Sequence, residues 1–427
     1  MRALPLLLLS ACTTLAGIQA PDKVADPDDT DVGDTDVVVD TDADTDAEDT
    51  DVDDTDAEDT DPPGDTVDTG LTGCAVCDPG ALPFGGGSGS PADPSLICSP
   101  AQLDSLRSHS SHHAELCNDI DLYDTALDPI PVFSGVLDGQ GYAIRGLTFD
   151  RPTQTDLAFV VDLSGMLTNL RFQDATVRSY SHSAVLARRT LAGGSVRRVH
   201  VDGTVTGDGG HIAGLVVSVS ENSLVADSSF DGDVVNGSAG GFVGGLIDGC
   251  SGTARKLEAR GTLTSGAWKL GCIVQGLSPT GVVEGSVCRM NIEALNRSGG
   301  IVGVLNGGTI LGSYFEGRIH GEHWIGGVVG ETWGAAGRIE QSYASGLVLA
   351  DFAVGNIDAA GLVAYNGPGV TVVDSVWDVD STGVTANTIG GQPLTTAEMQ
   401  DPTNPAFANW GTQWNHAPGD HPRLPWE

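Results

Sequence analysis

Gly299-Gly300-Ile301-Val302-Gly303 returns as Gly326-Gly327-Val328-Val329-Gly330, and Gly240-Gly241-Phe242-Val243-Gly244 stands earlier in the chain. Weaker copies are Phe159-Val160, Val185-Leu186, Leu215-Val216, Cys272-Ile273 and Leu362-Val363. The spacing of ~26–34 residues over roughly eight copies is the period of a solenoid, in which each unit buries its apolar face only against its neighbours.

A turn and a second signature follow each copy. Gly308-Thr309-Ile310-Leu311-Gly312-Ser313-Tyr314-Phe315-Glu316-Gly317-Arg318-Ile319 matches Gly337-Arg338-Ile339-Glu340-Gln341-Ser342-Tyr343-Ala344-Ser345-Gly346-Leu347-Val348. Val225 to Val234 has the same grammar, and Val199 to Val205 repeats part of it. Each unit therefore holds three short runs with strand-like alternation between Gly, Asp, Asn or Ser turns. No run reaches the ~10–12 residues of a helix. The pattern predicts an all-β, right-handed parallel β-helix of about eight coils, stacked ~4.8 Å apart into a rod of roughly 40 Å. Ile301, Val328, Leu215 and Phe242 should form one inward ladder, and Ile310, Ile339 and Val283 another.

The chain opens like an export signal: Met1-Arg2, apolar Leu4 to Leu9, then Leu9-Ser10-Ala11 before Cys12. That tetrapeptide resembles the bacterial lipobox, so residues 1–11 read as a lipoprotein-type signal and Cys12 as the acylated residue. A cut after Ala20 is the weaker alternative, since it needs Ile18 at a small-residue position. Thr13, rather than Asp, after the cysteine resembles lipoproteins sent to the outer membrane. Residues 12–70 then read as a stalk. From Asp22 to Asp68 the chain is almost only Asp, Thr, Ala, Val, Gly and Pro, with Lys23 its sole cation, and carries more than half of the formal net charge of −38. Such a segment offers too little apolar surface to offset its ordering entropy, and its charges repel. Its Asp-Thr-Asp runs lack the Gly and Glu of an EF-hand, leaving weak Ca²⁺ association and no built metal site. The milder acidity beyond it gives nucleic acid no footing.

Residues 71–94 read as a Gly/Pro/Cys linker, with Gly85-Gly86-Gly87-Ser88-Gly89-Ser90 flexible. Cysteine usage fits an oxidising compartment. Cys98 and Cys117 flank a short helical segment and make the favoured disulfide, with Cys74 and Cys77 as a local pair. Cys250, Cys272 and Cys288 leave an odd thiol, and Cys272 sits in an apolar slot of the repeat. Exposed strand edges at the rod's ends call for covers. Over residues 95–155, Ser99-Pro100-Ala101-Gln102 reads as a capped helix start reaching toward Leu116. Over 381–427, Phe407, Trp410, Trp414, Leu424 and Trp426 read as an irregular apolar lid.

These features together resemble the GLUG-motif repeat family of bacterial surface proteins. Asn118 to Leu122 and Phe133 to Ile144 resemble its entry segment, the Gly-Gly and Ser-Tyr units over 156–380 its repeats, and Trp377-Asp378 to Pro425-Trp426 its tail. The resemblance implies surface exposure and, in some members, adhesion, and it brings no catalytic residues. The copies at Val185 and Cys272 depart from Gly-Gly, so their coils should carry altered corners.

Parallel β-helices also carry polysaccharide lyases and glycoside hydrolases, which need two or three converging carboxylates. Asp202, Asp227, Asp231, Asp233 and Glu316 are the candidates, but Asp-Gly and Glu-Gly pairs at repeated positions read as solvated turns. His320-Gly321-Glu322-His323 is the most metal-like run yet lacks a third ligand, and Ser108-His109-Ser110-Ser111-His112-His113 reads as the polar side of the cap. Arg188-Arg189 and Arg197-Arg198 form the one basic cluster of the body. Serine-nucleophile and phosphate-loop motifs are absent from the sequence. The expectation is a lipid-anchored surface protein with a binding or structural role, without cofactor. Its expected partners are the membrane, through its lipid, and extracellular polysaccharide or a cell-surface protein. The Arg188–Arg198 positions and His320, Glu322 and His323 are its candidate ligand face.

Overall fold

The computed structural model describes residues 74–427 apart from 239, 267, 335, 352–357 and 368, so the signal, Cys12 and the stalk lie outside the described residues. The repeats fold as an all-β parallel solenoid. A nine-stranded sheet holds one strand per pass, from Ile130–Phe133 to Val363–Tyr365, and so defines about eight turns. The strand pairs of the stack are parallel, as Val274↔Val302 and Val302↔Val329 illustrate, and the register slips by one residue between Met166–Ser179 and Ser195–Gly207, where Val201 faces Phe172 and Gly203 faces Ala175.

Each pass contains more strand than the sequence suggests. The three runs of the second signature lie in the largest sheet. They are continuous in Ser195–Gly207 and Leu224–Asn236, and broken into Gly308–Leu311, Tyr314–Phe315 and Arg318–Gly321 further on. A six-stranded sheet (His323–Gly326 in that pass) and the nine-stranded sheet (Val329–Thr332) complete the coil. The long strands bend at one left-handed residue per pass: Gln140, Asn169, Arg198, Asp227, Lys256, Gly285, Gly312, Gln341 and Asp374, all with φ between 45° and 55°. At the bend a serine relays the ladder. Ser313 N–H donates to Ser342 Oγ (3.2 Å), and Ser342 Oγ donates to Glu340 O (2.8 Å). Ser228, Ser286, Ser313 and Ser375 make the same backbone contact, which satisfies buried amides that the kinked backbone cannot pair.

The Gly-Gly segment is a corner between the two smaller sheets. A Cβ on Gly299 would lie 2.0 Å from the Val302 carbonyl, so the two strands fold back on each other with no side chain between them. Gly300 faces the core, where a Cβ would lie 2.4 Å from Phe315 Cγ. The corner thus needs one glycine for backbone contact and another to admit a large side chain from the long sheet. In the same core slot Gly214 faces Phe230 and Gly361 faces Trp377.

Register corrects three expectations. Leu246-Ile247, not Phe242-Val243, aligns with Ile273-Val274, so Leu246 joins the core and Phe242 stands outside, 37% exposed. Val185 and Cys272 occupy the core-facing glycine slot itself, one place earlier than the pairing Val185-Leu186 and Cys272-Ile273 assumes. Cys272 is neither free nor merely apolar: it bonds Cys288 across the core, where other coils place glycine against Phe or Trp. Among the described residues Cys250 is the free thiol; it is buried, and burial pushes its pKa up to about 12.

The ends differ from expectation as well. The helix is only Pro100–Ser105, and His113–Leu116 is already a strand pairing with Ser95–Ile97. Gln102 makes no capping box. It accepts from Cys98 N–H and donates to Asp78 O (2.7 Å) and Ala81 O (2.9 Å), fastening residues 78–81 to the cap. The glycine-rich stretch is therefore packed, with Phe84 buried and Gly85 N–H donating to Leu96 O (2.9 Å). The disulfides are Cys74–Cys117 and Cys77–Cys98, not Cys98–Cys117 with Cys74–Cys77. Cys77 bonds Cys98, just before the helix, and Cys74 bonds Cys117, just after the strand His113–Leu116. Val379–Thr382 and the residues to Ile389 close the other end, beside Trp377 and Val384. The final tryptophans do not. Phe407, Trp410, Trp414 and Leu424 pack on the outer side of the long sheet, over Val287, Tyr314, Tyr343 and Val376.

Candidate functional site

The sequence-predicted residues are placed on different surfaces. Arg188 and Arg189 lie on the nine-stranded sheet, Arg197 and Arg198 on the long sheet. Arg188 pairs with Asp156 (2.7 Å), Arg189 grips Asp162 with two bonds (3.1 and 2.9 Å), and Arg198 Nε donates to Asn169 Oδ1 (2.6 Å). These are ties between neighbouring coils. His320 is clamped on both ring nitrogens, by Glu293 (2.9 Å) and Asp351 (2.8 Å), and these bonds raise its pKa. His323 bonds Asp358 (3.2 Å) through Nδ1 on the next strand, and Glu322 stands between them, half-buried. No three metal-ligating side chains converge among the described residues.

Asp202, Asp231 and Asp233 lie within long strands and not in turns. Asp202 and Asp231 are register partners in the middle of Ser195–Gly207 and Leu224–Asn236. Burial, then the neighbouring Asp174 and Asp231 charges, raise the Asp202 pKa. Asp227 is a bend residue, and Asp233 accepts from Thr262 Oγ1 (2.6 Å). Glu316 is engaged: Arg423 binds both its oxygens (2.5 and 2.6 Å) and Arg289 donates to it (3.0 Å).

A groove follows the left-handed bend. His200, Asp227, Ser228, Ser229, Lys256, Glu258 and Trp426 enclose a cavity of about 350 Å³. Gln140, Asn169, Arg171, Arg198 and His200 line one of about 490 Å³. Beyond Lys256 the C-terminal segment fills the same groove. Trp426 Nε1 donates to Gly285 O (3.0 Å), Tyr343 OH to Pro422 O (2.6 Å), and Tyr314 OH to Glu427 (2.6 Å). The groove is thus half occupied by the chain's own tail.

The most ligand-like surface lies where the six- and nine-stranded sheets meet, and sequence reasoning missed it. His182, His211, Phe242, Lys269, Arg297 and Trp324 succeed one another on neighbouring strands, spanning ~24 Å at the inter-strand spacing. His182 stacks on His211 (4.8 Å), which meets Phe242 (5.0 Å) and bonds the buried Asp248 (2.8 Å). At the other end Glu331, 6% exposed, is held between Lys269 (3.1 Å) and Arg297 (3.4 Å). Arg297 lies over Trp324 (4.7 Å), Lys269 lies over Trp333 (5.4 Å), and Tyr365 meets Trp324 (5.1 Å). Trp333 is 62% exposed, Trp268 55% and Tyr365 44%. Trp268 and Trp333 each stand one residue beyond a strand end, and water-facing indoles there are a costly way to end a surface unless something stacks on them. One signal was available: four of the seven tryptophans stand outside the final eighteen residues, three of them within the repeats away from the core-facing positions.

The class this fold defines is the all-β parallel solenoid. No family model matches the chain. It is similar to halomucin of Haloquadratum walsbyi, at 33% identity over 161 residues, 34% of this chain and 2% of that one. It is also similar to the immunoglobulin A1 protease of Streptococcus sanguinis, at 30% over 181 residues, 40% of this chain and 9% of the protease. The chain therefore spans less than a tenth of the curated relatives it matches. Among solved structures, a candidate immunoglobulin A1 protease from Bacteroides ovatus covers 81% of this chain and 96% of its own, at 15% identity and a TM-score of 0.48. An IgA1 protease structure covers 66% and 21%, at 16% and 0.45.

Proposed function

We propose that this is an exported, surface-displayed binding protein that adheres to matrix, glycan or a neighbouring cell, with the rim around Glu331 as its glycan contact. The observation that carries this is the ion cluster of Lys269, Glu331 and Arg297 with Trp333 and Trp324 against its cations, Tyr365 against Trp324, and Trp333 and Tyr365 open to water. Aromatic faces stack on sugar rings, and fixed charged groups supply direction. Three disulfides and the signal-like start support export. So does similarity to segments of a protein named halomucin and of an immunoglobulin A1 protease. Acylated Cys12 would anchor the chain in the outer membrane, and the Asp/Thr stretch would carry the solenoid away from it.

The test is a glycan array with the full chain, run beside a polysaccharide-degradation assay. Binding that Trp333→Ala weakens about tenfold, without release of sugar, is the expected result. A blank array would overturn the glycan contact. Cys12→Ala should move the protein out of the membrane fraction, and retention there would remove the anchor from the proposal. A second reading, a glycoside hydrolase or lyase, is favoured by the Asp202–Asp231 pair, where one acid is raised above its ordinary pKa beside another. Sugar release that Asp202→Asn abolishes would put that reading first.

A further inference from the structure

We infer that the Lys269–Glu331–Arg297 rim recognises the carboxylate of an acidic sugar within a polysaccharide, an inference that rests on the glycan-binding reading above. The charge count is the starting point. Glu331 supplies one negative charge, while Lys269 and Arg297 supply two positive ones, all within 3.5 Å of its carboxylate. The cluster therefore holds a surplus positive charge on a chain of net charge −38. A structural ion pair needs only one partner; a second cation is repelled by the first unless another anion arrives.

The donors are also left incompletely used. Lys269 carries three N–H donors, of which Glu331 takes one. Arg297 touches Glu331 only at 3.4 and 3.5 Å through one terminal nitrogen, and its Nε, buried, has no hydrogen-bond partner. Around these donors stand flat walls. Each cation lies over one ring face, Lys269 over Trp333 and Arg297 over Trp324, which fixes where the charge is presented. Trp333 and Tyr365 remain exposed to water. Stacking surface beside a positive charge, inside an acidic molecule, selects a sugar ring bearing a carboxylate over a neutral one. The aromatic walls favour a ring over a simple anion such as phosphate.

One oligosaccharide in two forms distinguishes carboxylate recognition from glycan binding in general. Calorimetric titration of the full chain would compare tetragalacturonic acid with the same tetramer fully methyl-esterified, which keeps the rings and removes the charge. The acid should bind at least tenfold more tightly, and rising ionic strength should weaken it alone. Trp333→Ala should weaken both forms. Lys269→Met should erase the preference for the acid, bringing the two tetramers to the same affinity. Glu331→Gln frees a positive charge and should tighten the acid severalfold, the reverse of what loss of a purely structural ion pair would do. Equal affinity for acid and ester would overturn the carboxylate inference and leave glycan binding standing. Failure of both tetramers to bind, together with a blank array, would overturn the two together.

Discussion

Cys272 and Cys288 occupy the two ends of a contact that other coils build from glycine and a large ring, as in Gly214 with Phe230 and Gly300 with Phe315. The coil has exchanged steric fit for a bond closing sixteen residues, worth about 3 kcal/mol in the chain-entropy account. Restoring the neighbours' solution should therefore rescue its loss. Cys272→Ala alone should lower the denaturant midpoint by an amount equivalent to about 3 kcal/mol. The double variant Cys272→Gly with Cys288→Phe should recover most of that, and a double variant no better than the single would show that the two pairs are not equivalent. Residue identity made this corner only half legible. The glycines advertise it, but Gly240–Gly244 mimics the motif four residues early, and a one-dimensional pattern cannot say which copy faces the core. The left-handed bend was not legible at all, because Gln, Asn, Arg, Asp, Lys and Gly share that backbone state without sharing a side chain. Each non-glycine there costs on the order of 1 kcal/mol, repaid by the ladder and serine bonds of the stack.

The C-terminal segment was expected to cover the end of the rod, and its aromatic residues instead cover the outer side of the long sheet. Its aromatic content announced burial but not the surface it would cover, since that surface is a ladder of outward residues drawn from separate coils. Tyr314 and Tyr343 stack at 4.7 Å and 6°, and Trp410, Trp414, Leu424 and Phe407 close over them. Asp378 ties the segment down. It caps Val379–Thr382, accepts from Thr396 Oγ1 (2.8 Å), and bonds His421 (2.9 Å). Burial alone would raise its pKa, but the bonds from His421, Thr396 and Ser381 outweigh burial and hold it at about 2, below the ordinary 3.8. Glu316 is likewise lowered, burial again being outweighed by Arg423 and Arg289. A carboxyl depressed in the folded state contributes stability that is present above its unfolded pKa and lost as pH falls through its folded one. The tail should therefore loosen between about pH 4 and 2, with a red shift of tryptophan emission, at a cost on the order of 2 kcal/mol for Asp378. Asp378→Asn should show the loosened signal already at neutral pH, and an unchanged emission spectrum in that variant would remove Asp378 from this role.

On the scale of the whole solenoid, each coil touches only its neighbours, so stability propagates along the stack from its ends. The period was legible because it is written about eight times, and inward positions accept only apolar or small residues. The rim around Glu331 was not, because outward positions are written once each and its partners Arg297 and Lys269 lie 34 and 62 residues away in sequence. One-dimensional coupling has a direct consequence for the two cap disulfides. Cys74–Cys117 and Cys77–Cys98 close spans of 43 and 21 residues around the first strands, each worth about 3–4 kcal/mol. Mild reduction should speed amide hydrogen exchange first in Ser95–Ile97 and His113–Leu116, where the cap meets the stack. Leu224–Asn236, bonded on both sides by neighbouring long strands, should keep its protection under the same conditions. Its buried coil has no cystine to lose, and fraying from the cap must cross the coils around Met166–Ser179 and Ser195–Gly207 to reach it. Exchange that accelerates equally in the cap and in Leu224–Asn236 would mean that the stack opens as one unit, and the account of stability spreading inward from the ends would fail.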